Sequence, residues 1–169
     1  MPSQEALRDA PVRPAEAEPL ASPGRSWLAV ESAGHHFLFP LTEAGEIFPI
    51  VPLMPLPHAQ PWFLGVANLR GHLHGVVDLG RFLGLVAPDP VREPTMLVAF
   101  NAALDVNAAL RVDRLAGLRS EADFSLERDA DAAAPAFVGQ RLRDASGRVW
   151  QEIHLAALVR HEAFLRIVG

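Results

Sequence analysis

The sequence predicts a mainly β fold: about ten short strands, one helical turn in the middle of the chain and a helix at its C-terminal end. Three observations predict it. Short apolar runs recur along the chain, bounded by Gly, Pro, Asn, Asp or Ser, as strands are. Two pairs of runs are joined by tight-turn sequences, Ser32-Ala33-Gly34 and Asp144-Ala145-Ser146-Gly147. Only near the end does the spacing turn helical, at Leu155, Leu158, Val159, Phe164 and Leu165. At 169 residues, 50% hydrophobic and 21% charged, the chain suits one domain or two small ones sharing a core.

Residues 1–25 are rich in Pro, Ala and Glu, with Leu7, Val12 and Leu20 as isolated aliphatics. Burial of so little apolar surface does not offset the entropy of ordering. The segment is expected to be a disordered tail, with a short helix over 4–9 as the alternative, and the folded domain to occupy 26–169. Residues 27–31 and 35–41 read as a hairpin, and 42–47 continues with Glu43 and Glu46 among small residues. A proline-rich crossover ends at Pro61. Residues 63–68 and 72–79 are strands about the turn Leu69-Arg70-Gly71, where Gly71 supplies the positive φ that tight turns need. Residues 80–85 read as one helical turn, closed by Ala87-Pro88-Asp89-Pro90. Further strands are expected at 95–101, 108–112 and 114–118. Residues 120–135 are acidic and alanine-rich without an apolar period, the pattern of a loop. Strands at 136–142 and 148–153 flank the last hairpin turn. There is no tandem repeat, but two barrels of similar size fit the pattern.

Composition excludes several function classes. The chain has no cysteine, which removes disulfides, thiolate zinc sites and cysteine nucleophiles together. All 15 cationic residues are arginine, so Schiff-base and P-loop lysine chemistry are out, and there is no tyrosine. The net charge of −5 has the wrong sign for generic binding to nucleic acid or anionic membranes. Residues 1–25 carry Glu5, Asp9, Glu16 and Glu18 and lack the apolar region of a signal peptide. The longest stretch free of acid and arginine, 47–69, contains Pro49, Pro52, Pro55, Pro57 and Pro61, which argues against a membrane span. A cytoplasmic protein is expected.

No G-x-S-x-G, P-loop or G-x-G-x-x-G sequence is present. His72 and His74 share one strand face, but no third ligand stands at a telling spacing, and His35 and His36 point to opposite faces. No catalytic residue, metal site or cofactor is expected. Two rivals remain, an oligonucleotide-binding barrel of the OB type and a histidine-based metalloenzyme. The first needs a basic groove with stacking aromatics, whereas arginines here are dispersed and aromatics are 7%.

Residues 64–85 read LGVANLRGHLHGVVDLGRFLGL. This resembles the signature of the CheW-like coupling proteins of bacterial chemotaxis, a G-V-x-N-L-R-G turn followed by a V-V-D-L strand end and a short helix closing on F-G-L. The residues that match are Gly65, Val66, Asn68 to Gly71, Val77 to Leu79 and Leu83 to Leu85. Glu46-Ile47, Leu56-Pro57, Pro61-Trp62, Arg111-Val112-Asp113, Phe137-Val138-Gly139 and residues 152–158 are similar to flanking family phrases, so the resemblance covers about 27–165. Within the family, the phrases around 31–41 and 61–71 most resemble the branch serving twitching motility by type IV pili.

The resemblance implies two small, interlaced SH3-like β-barrels on a common hydrophobic core, and no enzymatic activity. It implies an adaptor that bridges the cytoplasmic tip of a methyl-accepting chemoreceptor to the regulatory domain of a CheA-type histidine kinase, recruited to membrane-associated receptor arrays without entering the bilayer. It also points to Glu46, Trp62, Asn68, Arg70 and Asp78 as receptor- or kinase-binding residues. Arg70 has a guanidinium fork suited to a carboxylate or to helix carbonyls, and Asn68 and Asp78 are short polar groups able to fasten the turn. For Arg70 and Asp78 the alternative is bracing of the barrel. Leu64, Val66 and Phe63 are expected in the core. Ala44-Gly45, Gly75 and Gly80 depart from the family pattern, which is less bulky here on the receptor-facing strand, and favour a dedicated receptor–kinase pair. A flagellar-chemotaxis coupling protein is the nearest alternative.

Overall fold

The structure, a computed structural model, describes residues 24–85 and 95–167. Residues 1–23 of the expected tail, and the expected turn at 87–90, lie outside the described residues.

The chain forms two antiparallel-rich sheets whose strands are exchanged along the sequence. Strands β1 (Ser26–Ser32) and β2 (His35–Pro40) begin a six-stranded sheet. The chain then leaves for β3 (Ala44–Pro49), β4 (Phe63–Leu69), β5 (His72–Asp78), β6 (Met96–Phe100) and β7 (Ala108–Val112), which make a five-stranded sheet in the order β3-β6-β7-β5-β4. It returns through β8 (Arg114–Ser120), β9 (Phe124–Arg128), β10 (Val138–Asp144) and β11 (Val149–Ile153), completing the first sheet in the order β8-β1-β2-β11-β10-β9. One-turn helices lie at α1 (Leu79–Phe82), α2 (Leu155–Leu158) and α3 (Glu162–Leu165). Most pairs are antiparallel; β2 with β11 and β5 with β7 are parallel.

Burial explains why the strands read as continuous apolar runs. In β1, Leu28 and Val30 enter the core shared by the two sheets, while Trp27 and Ala29 enter a smaller core inside the six-stranded sheet. In β2, Phe37 and Phe39 take the shared side and Leu38 the inner side. The five-stranded sheet has its own inner core around Leu69, Val76 and Leu97. With both faces covered, neither strand shows the period of two that one-sided strands show.

The crossover from β3 to β4 is tied down where Met54 exchanges both backbone hydrogen bonds with Val66, at 2.9 and 2.8 Å. This contact dictates Gly65. Its φ is +139°, and a Cβ there would stand 2.5 Å from the Met54 carbonyl oxygen. The glycine of the signature is therefore a requirement of close backbone approach.

Three expectations need correction. Residues 120–135 are not all loop: a 3₁₀ turn at Glu121–Asp123 leads into β9. Every residue of β9 is at least partly exposed, so pairing through its backbone with β10 leaves no apolar period. The C-terminal helix is two helices, because the His161 ring nitrogen Nδ1 accepts from the Ala163 N–H at 3.1 Å and restarts the turn at α3. Arg25, placed in the tail, is bonded into the fold: its Nη2 donates to Gln140 at 2.7 Å and its guanidinium lies 5.0 Å from the Trp27 ring centre.

Candidate functional site

The β4–β5 hairpin turns through two residues, with Leu69 opposite His72. Arg70 has φ +51° and Gly71 φ +80°, the left-handed pair that a two-residue hairpin matched to strand twist requires. Asn68 fixes this turn by accepting the Gly71 N–H on Oδ1 at 2.9 Å. The Arg70 side chain, 72% exposed, reaches β3 at the far edge of the five-stranded sheet. There its Nε donates to Glu46 Oε1 at 2.8 Å and its Nη2 lies 2.6 Å from Oε2. Glu46 raises the Arg70 pKa above its ordinary value, first through the hydrogen bond and then through its charge. The pair bridges β3 and the turn after β4, which stand at opposite edges of the sheet. It leaves the Arg70 Nη1 donors without a partner among the described residues.

Glu46, Asn68 and Arg70 thus share one tip of the second barrel, and the structure adds apolar neighbours that the sequence reading did not single out. Ile47 follows Glu46 and is 36% exposed, while Leu73 stands directly opposite Asn68 and is 64% exposed. Leu73 lies at the start of β5, whose first two residues are exposed beside the turn.

Trp62 and Asp78 lie elsewhere. They are joined to each other by the Asp78 N–H donating to the Trp62 carbonyl at 2.8 Å. The half-buried Trp62 ring packs edge-on to Phe82 at 5.0 Å and stacks on Phe164 at 6.3 Å. Asp78 is buried; its Oδ1 caps α1 by accepting the Arg81 N–H at 3.0 Å, and its Oδ2 pairs with Arg111 of β7. Both oxygens are engaged internally, so Asp78 braces the junction of β5, α1 and β7 rather than the hairpin turn. Phe63 is buried, and Leu64 and Val66 are partly buried against the cores.

A second polar cluster went unread in the sequence. Glu152 of β11 is only 2% exposed. Its carboxylate accepts from Trp27 Nε1 at 2.8 Å and from the Gln140 N–H at 3.2 Å, with His154 Nε2 at 3.3 Å and Arg25 Nη1 at 3.7 Å. Burial pushes its pKa up, but hydrogen bonds from His154 and Trp27 more than offset this and bring it down to about 2. The same hydrogen bond raises His154 above its ordinary value. The signal was available: Trp150 and Glu152 fall on one face of an alternating strand, and Trp150 is fully buried.

His74 Nδ1 lies 3.1 Å from the His72 carbonyl oxygen, and among the described residues no three His, Asp or Glu side chains are grouped to hold a metal ion. Among those residues, no helix is long and apolar enough to cross a membrane.

Comparison with known proteins places this architecture. Residues 26–163 match the family model of the CheW-like domain. The chain is 30% identical over 118 residues to the chemotaxis protein CheW of Rhizobium meliloti, covering 70% of this chain and 75% of that one. It is 34% identical over 97 residues to PilI of Pseudomonas aeruginosa, covering 56% of this chain and 53% of the relative, about half its length. The solved structure of the scaffolding protein TtCheW from Thermoanaerobacter tengcongensis shares the fold, with a TM-score of 0.65 at 17% identity over 79% of this chain and 92% of that one. The mainly β fold is thus one of two SH3-like barrels on a common core, and the chain belongs to the CheW-like domain family.

Proposed function

We propose that this member of the CheW-like family is a non-enzymatic adaptor coupling the cytoplasmic tip of a methyl-accepting chemoreceptor to the regulatory domain of a CheA-type histidine kinase, in the pathway that controls type IV pilus twitching. The observation that carries the reading is the barrel tip. An exposed arginine, held by an exposed glutamate and by a left-handed turn, sits among the exposed apolar side chains Ile47 and Leu73. Such a surface suits a helical hairpin. Its carboxylates or C-terminal carbonyls take the remaining Arg70 donors, and its apolar stripe covers the leucine and isoleucine. The adaptor then adds contacts that differ between two receptor conformations, and kinase output follows from that difference without chemistry in this chain. Among the five residues named from the sequence, Glu46, Asn68 and Arg70 are proposed as contacts, and Trp62 and Asp78 as supports behind them.

The test is capture of partners from the native lysate by the full chain, with bound proteins identified by mass spectrometry, in parallel with Arg70→Glu. Recovery of a methyl-accepting receptor and a CheA-type kinase by the wild type, and loss of one of them with an unchanged melting temperature in the variant, supports the reading. Failure to recover either after mild cross-linking overturns it. The likeness to the Rhizobium meliloti CheW favours a second reading, a flagellar-chemotaxis adaptor, which the identity of the captured receptor separates from the first.

A further inference from the structure

We propose that the cavity between the two barrels, walled by β2, β10, β11 and the residues after α1, binds a small organic anion, a carboxylate or phosphate group carried on an apolar body. The cavity has a volume of about 590 Å³, within the range of small-molecule sites. One wall is apolar, made of Phe37, Leu83, Leu85, Val138, Val149 and Ile153. The other presents His35, Arg141 and Gln151, while the His36 ring turns to the opposite face of β2, 5.0 Å from the Trp150 ring centre. The chain has 20 acidic residues against 15 arginines, yet none of the described residues lining this cavity is acidic.

Arg141 is the centre of the argument. Most described arginines are tied to a carboxylate or a carbonyl, as Arg25, Arg70, Arg111 and Arg143 are. The Arg141 guanidinium makes no hydrogen bond or ion pair among the described residues. Glu127, whose carboxyl feels the Arg141 charge, is held by Arg143 at 3.0 Å. Directly across the strand pair from Arg141 stands Arg128, and like charges placed opposite one another in a sheet are unfavourable. An anion in the cavity relieves that repulsion.

His36 lies below its ordinary pKa because of burial; Glu31, 4.0 Å away, acts in the opposite direction more strongly than Arg148 and His35 act to lower it. The arginine supplies the permanent charge, the exposed His35 imidazole directs the anion, and the leucine wall takes the apolar body, while the Gln151 amide is held by the Gly139, Gln140 and Glu152 carbonyls. The ligand touches strands of the six-stranded sheet and the segment leaving the five-stranded sheet at once. Its binding favours this arrangement of the barrels and raises the melting temperature. The site does not depend on the adaptor reading, because it is measured without receptor or kinase.

The probe is phenyl phosphate, titrated into the full chain and followed by amide NMR shifts and thermal melting, with phenol as its neutral counterpart. Saturable shifts confined to residues 34–37, 83–85 and 138–153, a rise in melting temperature, and at least tenfold weaker binding by Arg141→Ala are expected. Arg141 is exposed on β10, so the variant keeps its fold; Arg141→Gln, which retains hydrogen-bond donors without charge, is the second variant and is also weakened. Non-saturating shifts, equal binding of phenol, or wild-type affinity in both variants would overturn the proposal.

Discussion

Glu46 and Glu152 both accept hydrogen bonds from cationic side chains, yet the first is 45% exposed and the second 2%. The Glu46–Arg70 pair stands in water at a barrel tip, where a partner's carboxylate or water takes over either half at little cost. The Glu152 cluster lies behind Trp27, where the Trp27 indole and the Gln140 N–H have this carboxylate as their acceptor. The same chemistry thus serves two ends. In water it makes a contact that can be exchanged; under a tryptophan it fixes the first barrel in one arrangement.

The largest expected effect comes from breaking the buried member. Glu152→Ala strips the Trp27 indole and the Gln140 amide of their acceptor and leaves His154 unpaired. The cost is about 3 kcal/mol, a fall of roughly 6–12 °C in melting temperature for a chain of this size. The pH dependence sharpens the assignment. The Glu152 carboxyl titrates lower in the folded state, so its contribution is present above about pH 4.5 and is lost as pH falls toward about 2. His154 titrates higher in the folded state, so its contribution is present below its ordinary value of 6.5 and is lost as pH rises through the folded value. Melting of the wild type against Glu152→Gln should show a difference that is greatest between those limits and shrinks on either side. A difference that is flat from pH 3 to 8 would mean that the cluster is packed but not charged.

A smaller effect is expected at the second barrel's crossover. Gly65→Ala drives a methyl into the Met54 carbonyl and forces a strained φ, which costs more than about 1 kcal/mol. A melting temperature lower by several degrees, with amide exchange quickened at Met54 and Val66, is the outcome that fits. An unchanged melting temperature would show that the crossover yields and that the glycine serves something other than close approach.

Sequence made some of this legible, for physical reasons. The first hairpin could be read because both faces of its strands are apolar. The Asp144 turn could be read because its carboxylate gathers the Ser146 and Arg148 N–H groups and the Trp150 indole, the local bonding that turn residues supply. Strand β9 could not, since it buries little and pairs through backbone, which is common to all residues. At the site, the motif gave Arg70 and Asn68, and resemblance gave Glu46, but not that Glu46 and Arg70 meet. That contact joins opposite edges of a sheet and depends on barrel closure, which no spacing along the chain encodes. Asp78 shows the converse. A polar residue within a binding signature turned out to be a buried helix cap, because one motif carries both the surface and the bracing beneath it.

The smallest expected effect on stability, and the most informative on function, lies with the exposed pair. Arg70→Glu and Glu46→Arg, made singly, should each shift the melting temperature by no more than about 2 °C, since water solvates whatever the missing partner leaves. The two exchanges together restore an ion pair at the barrel tip with its polarity reversed. If the pair only braces the barrel, the double variant recovers whatever binding to receptor or kinase the single variants lose. If Arg70 itself meets the partner, the double variant is as stable as the wild type and binds no better than Arg70→Glu, because the cation then stands on β3 and the turn presents a carboxylate. The second outcome is expected. The Arg70 Nη1 donors unused by Glu46 are a feature that bracing does not require and a partner does.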